Sequence, residues 1–114
     1  MSVLNNEGMA IAPGVVETII SLAAKEVPGV VSVGRPSKEL LHSVLHRNNT
    51  QGVTIVPNED KTLSVDIHIT ARADVDLTSM ADQVRVAVYD AVLSQVSLEV
   101  TRVEVYVEAV RFVD

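Results

Sequence analysis

The chain has no cysteine and no tryptophan, and only Phe112, Tyr89 and Tyr106 represent the aromatics. The missing cysteine removes disulfides, thiolate nucleophiles and Cys-ligated metals together. Basic residues are scarce: nine Lys and Arg stand against fifteen Asp and Glu, for a net charge of -6. A nucleic-acid partner needs clustered Lys and Arg to neutralise phosphates, so that class is excluded, and anionic lipid surfaces are disfavoured for the same reason. No apolar run approaches the ~18 residues that cross a bilayer, so direct membrane insertion is not expected. The N-terminus MSVLNNEGMA has neither a basic region nor a sustained apolar one, and no signal peptide is expected. These absences together point to the cytoplasm.

What the chain has instead is valine and periodicity. Its length of 114 residues suits one domain over 1–114, with residues 1–7 polar and flexible. The apolar fraction of 47% is dominated by valine, which favours half-buried strands. Val16, Ile19, Ile20, Ala23 and Val27 recur at helical spacing, with Glu17, Thr18, Ser21 and Lys25 opposite. Pro13 suits the first turn of that helix, and Pro28-Gly29 ends it. Met9-Ala10-Ile11 can add a short edge strand before it. Val30 to Val33 reads as a strand, and Lys38 to His46 as a short helix capped by Ser37.

A hairpin follows. Val53 to Val56 is one strand, and residues 57–61 form a polar turn. Leu63, Val65, Ile67, Ile69 and Ala71 then alternate strictly with Ser64, Asp66, His68, Thr70 and Arg72, giving one buried and one wet face. A second long helix is capped by Thr78 or Ser79, with Asp82 in its first turn; Leu77, Met80, Ala81, Val84, Val88, Ala91 and Val92 form its apolar face. Leu98 to Val113 is a long final strand. Its apolar phase runs through Val103, Val105 and Val107 and then slips to Val110 and Phe112, which predicts a bulge or an end pairing elsewhere. The expected fold is α+β: a single sheet of about four strands with two long helices packed on one face.

Three constellations could carry chemistry. Glu39, His42 and His46 share one face of the short helix, and His at i, i+4 can chelate zinc. The same spacing arises when the opposite face is leucine and this one is merely solvated, and no HExxH is present. No structural metal and no cofactor are therefore expected. Asp74 to Asp76 places two carboxylates in a connection, where catalysis often sits, but no nucleophile, oxyanion donor or phosphate loop accompanies them. Asp66, His68, Thr70, Arg72, Arg102, Glu104, Tyr106 and Glu108 line the wet face of the sheet. That surface suits either plain solvent or a protein interface. Phe112, near the chain end, predicts an interaction patch with Tyr106 and Val110; the competing expectation folds Phe112 back onto the first helix.

Two blocks, Ile19 to Val30 and Met80 to Val88 followed by Val100 to Phe112, together with the Val65 to Ile69 strand, resemble the alkaline-shock, or envelope stress response, family of Gram-positive bacteria. The resemblance spans roughly Gly8 to Phe112. The chain departs from the family pattern at Arg72-Ala73, where a Tyr-Gly pair is usual, and at Val96-Ser97-Leu98, where Thr-Gly-Leu is usual. The resemblance implies a non-enzymatic stress or cell-envelope role. It implies a protein-interaction module that self-associates or meets a membrane-anchor protein, recruited in that case to the inner face of the membrane. The alternatives from the residues are a small-molecule or metal sensor and a small enzyme using Asp74 to Asp76.

Overall fold

The computed structural model describes residues 4–6, 9–12, 14–34 and 52–112. The first helix, α1 (Val15–Lys25), starts at Gly14, whose φ of 95° suits glycine and no bulkier residue. The Gly14 carbonyl accepts both the N–H and the hydroxyl of Thr18. Val16, Ile20 and Ala24 are buried at i+4 spacing, and Val27 continues the stripe past the helix end. Burial thus falls on Ala24 and leaves Ala23 half-exposed, because the stripe follows the i+4 row.

Pro28-Gly29 turns the chain into β3 (Val30–Val33). Two shorter strands precede α1, β1 (Leu4–Asn6) and β2 (Met9–Ile11), and they pair antiparallel with each other. Residues 4–6 therefore carry a strand that sequence periodicity does not show.

The hairpin forms as its pattern predicts. Strand β4 (Val53–Pro57) pairs antiparallel with β5 (Leu63–Arg72). Asn58 closes the turn through its N–H to the Thr62 carbonyl, and Asp60 accepts from the Thr62 N–H and hydroxyl. These bonds hold the Asp60 carboxyl below its usual range. Leu63, Val65, Ile67, Ile69 and Ala71 are all buried and form the centre of the core.

The second helix, α2 (Leu77–Val96), buries Met80, Val84, Val88, Val92 and Val96, a strict i+4 row. Asp76 is its N-cap, accepting from the N–H groups of Thr78 and Ser79. The expected caps, Thr78 and Ser79, are instead donors inside the first turn. The helix begins at Leu77, so Asp82 lies beyond that turn and pairs with Arg85. Leu77 is exposed and not part of the buried row.

The final strand, β6 (Val100–Arg111), lies parallel to β5, with α2 as the crossover such a pair requires. Strands β3 and β4 share the other edge of β5. The first faces Ala71 to Ile69, the second Ile67 to Leu63. They meet at His68, whose carbonyl accepts from Gly34 and whose N–H donates to Gly52. Helix α1 packs on α2, β3 and β4, while α2 packs on β6. The result is an α+β fold, a mixed four-stranded sheet with both helices on one face, plus the separate β1–β2 pair.

Candidate functional site

Strand β6 is the longest of the strands whose outer edge has no strand partner among the described residues. Its inner edge is tied to β5 at both ends: Leu63 N–H donates to the Glu99 carbonyl and Ala73 N–H to the Arg111 carbonyl, each at 2.9 Å. No strand lies along its outer edge among the described residues. One group there is covered from above. Arg85 on α2 donates its Nε to the Val103 carbonyl at 3.2 Å while its Nη1 holds Asp82 at 2.6 Å.

Two register shifts interrupt β6 against β5. One makes Thr101 an extra residue between Val100 and Arg102, and the other does the same for Glu108 between Val107 and Ala109. The second is the phase slip visible in the sequence. It returns Val110 to the helix side of the sheet, opposite Ala71.

The side chains expected at an interaction patch lie on and beyond this strand. Tyr106 is 41% exposed, Val110 45% and Phe112 86%. Phe112 therefore does not fold back onto α1. Tyr106 is held in place on the open face by His68 of β5, the two rings stacking with centroids 4.6 Å apart and an interplanar angle of 10°. His68 Nδ1 in turn meets Glu108 Oε2. Arg102 and Glu104, neighbours on the same face, make a longer contact of 3.4 Å. Thr70, on the same strand face, is buried, and its hydroxyl has no partner among the described residues.

The carboxylates of the 74–76 connection have structural duties. Asp74 receives two bonds from Arg72, at 3.1 and 2.7 Å, and this pairing holds its carboxyl below the usual range. Asp76 caps α2. Asp76 also accepts from the Ser79 hydroxyl at 3.5 Å, a contact within the same cap. Glu39, His42 and His46 lie outside the described residues, and among the described residues no three His, Asp or Glu side chains come close enough to hold a metal ion.

Two open grooves flank α2. The larger, about 630 Å³, runs between α1 and α2 over Ala23, Val86, Ala87 and Ala91, with Glu26, Asp82 and Asp90 at its rim. The smaller, about 290 Å³, lies between α2 and β6 and is lined by Val86, Tyr89, Val100 and Val103 together with Arg85 and Arg102. Sequence periodicity missed the second groove because Val86, Tyr89 and Leu93 sit off the buried row and remain exposed. Their spacing of three and four residues was the available signal. No helix among the described residues is long and apolar enough to cross a membrane.

Among solved structures the chain is similar to the MamM CTD. A copper form matches with a TM-score of 0.49 at 20% identity, covering 82% of this chain and 81% of that one. A variant in a nickel form matches with a TM-score of 0.47 at 17% identity, covering 87% and 96%. No curated protein matches the chain by sequence. The family model of the alkaline-shock proteins, described by a cell envelope-related function, matches residues 3–112. That match takes in both helices and all the strands of the sheet, so this chain belongs to the alkaline-shock protein family.

Proposed function

We propose that this chain is a non-enzymatic stress-response protein of the cell envelope, acting as a single domain over residues 1–114 through protein contacts made by its C-terminal strand. The observation that carries this is the exposed end of β6, where Phe112, Val110 and Tyr106 stand out beside an edge with no strand partner among the described residues. An aromatic this exposed, just past the end of a strand with one open edge, favours a partner over solvent. Family membership supplies the envelope setting. The non-enzymatic reading is supported by Asp74 and Asp76, whose carboxylates are taken by Arg72 and by the start of α2. The protein works in the cytoplasm, either as an oligomer or held at the inner face of the membrane by an anchored partner.

Sedimentation equilibrium tests the contact. The wild type should show a mass above the 12.3 kDa of one chain, rising with concentration. Phe112→Ser should return to the single-chain mass with its circular dichroism unchanged and a melting temperature that no longer rises with protein concentration. A wild type that stays at one chain at millimolar concentration, with Phe112→Ser losing only stability, would refute self-contact at this site.

A further inference from the structure

The spacing of the two bulges in β6 specifies what can pair with it. Residues of a strand whose side chains share a face also turn their backbone groups to the same edge, and a bulge resets that alternation. The partners of the buried β5 residues Leu63, Val65, Ile67, Ile69 and Ala71 are Val100, Val103, Val105, Val107 and Val110. Glu99 and Arg111, one residue outside this set at either end, direct their carbonyls inward to β5. The Val103 carbonyl, within the set, meets the Arg85 side chain. The five valines are therefore the outward-facing residues, and they are symmetric about Val105. Val103 and Val107 lie two residues from it, and Val100 and Val110 lie five.

This symmetry is what an antiparallel twofold requires. A second copy of β6 laid along the first with Val105 on the axis brings Val103 opposite Val107 and Val100 opposite Val110. Each bulge then faces the partner's other bulge, so outward groups meet outward groups along the whole strand. Centring the pair on Val103 or Val107 instead sets a bulge against regular strand and breaks the match after a few residues. The side chains obey the same symmetry. Arg102 falls opposite Glu108, and Glu99 opposite Arg111, giving four charge-complementary cross-strand pairs per dimer. Glu108 uses Oε2 on His68, which leaves Oε1 for the incoming guanidinium. Phe112 falls opposite Leu98, on the helix side of the sheet. There it approaches the groove between α2 and β6, where Val86 and Tyr89 stand exposed.

We propose that β6 is a homodimerisation strand that pairs antiparallel with β6 of a second copy about Val105, extending the two sheets into one. This rests on the reading that the chain acts through its C-terminal strand and names both the partner and the register. Arg85 is the gate: it must release the Val103 carbonyl for the pair to close.

Charge reversal and cross-linking test the register separately from association. Arg102→Glu places like charges opposite each other twice per dimer and should weaken association at least tenfold by sedimentation. Adding Glu108→Arg should restore it to within about threefold by exchanging the pair, with Glu108→Arg alone measuring the separate loss of the His68 contact. Both positions are solvent-facing, and circular dichroism checks that the variants fold. The absence of cysteine makes single-cysteine variants clean probes. Under mild oxidation Val105→Cys should cross-link, whereas Val103→Cys and Val107→Cys should not, since each lies four residues out of step with its own copy. A dimer that Phe112→Ser dissociates, but in which the double reversal fails to rescue or cross-linking peaks at 103 or 107, overturns the register while leaving the interaction reading standing. A wild type that remains monomeric overturns both.

Discussion

Gly52 and Gly14 make a matched pair of probes for the point where β3 and β4 meet. Their φ angles are nearly the same, +96° and +95°. Alanine at either suffers the same left-handed strain, about 1–2 kcal/mol, and gains the same unfolded-state benefit, about 0.4–1 kcal/mol. Their surroundings differ completely. A Cβ on Gly14 meets nothing within 4 Å, whereas one on Gly52 falls 2.8 Å from the Gly34 Cα and 3.1 Å from the His68 carbonyl oxygen. Carbon atoms prefer ~3.5–4.0 Å, so the backbone must separate by roughly 1 Å. Gly34 and Gly52 are each held by a hydrogen bond to His68, at 2.7 and 2.8 Å, and neither can move without stretching one. Losing one such bond in a half-buried place removes about 1 kcal/mol and leaves a polar group short of a partner for about 1–3 more. Gly52→Ala should therefore destabilise by about 2 kcal/mol or more beyond Gly14→Ala. With a urea m-value of about 1–3 kcal/mol/M, the two midpoints should differ by about 1 M. Equilibrium urea denaturation in the Phe112→Ser background keeps association from contributing. Equal midpoints for the two alanine variants would refute the close approach of Gly34 and Gly52.

Further outcomes follow from the core, the cap and the exposed ion pair. Ile67→Ala removes three carbons from a site with no exposed surface, and transfer plus a residual cavity should bring the loss to about 3 kcal/mol by urea titration. Asp76→Ala should lower stability by about 1 kcal/mol through loss of the α2 cap, with Asp76→Asn retaining most of it. Asp74 has its carboxyl held below the ordinary 3.8 by Arg72. A carboxylate lowered in the folded state stabilises above its unfolded pKa, and that contribution disappears as pH falls through the folded value. The stability difference between wild type and Asp74→Asn should thus be constant near neutrality and vanish in strong acid, as read from melting temperatures across the pH series.

Much of this architecture is written in local pattern. The stripe of α1, the alternation of β5 and the turn between β4 and β5 are set by neighbours in sequence, and each forms where its period predicts. The phase slip at Val110 also has a local signature, and a bulge sits there. The companion bulge at Thr101 leaves no trace, because it interrupts the strand at its first residue, before any alternation is established. The cap of α2 lies two or three residues before the expected Thr78 or Ser79, since Asp, Thr and Ser all accept from helix N–H groups and only the backbone decides among them. Strands β3 and β4 sharing one edge of β5 is a non-local fact that no period encodes. At the candidate site, Tyr106, Val110 and Phe112 are legible as apolar residues out of place. The His68 ring that orients Tyr106 is not, because its partner lies in another strand.

The junction at His68 also separates chain length from architecture. The sheet is left at Gly34 and re-entered at Gly52, and those two glycines touch. Whatever lies between spans almost no distance, so its length does not set the spacing of any strand. Closing a longer loop across the same gap adds only about 0.6 kcal/mol per doubling. The register of β3, β4 and β5 is therefore fixed at the junction itself, by the Gly34 and Gly52 bonds to His68. Strand β6 lies on the far edge of β5. The two edges of β5 are thus organised by different means, one by a junction of two short antiparallel strands and the other by a single long parallel strand.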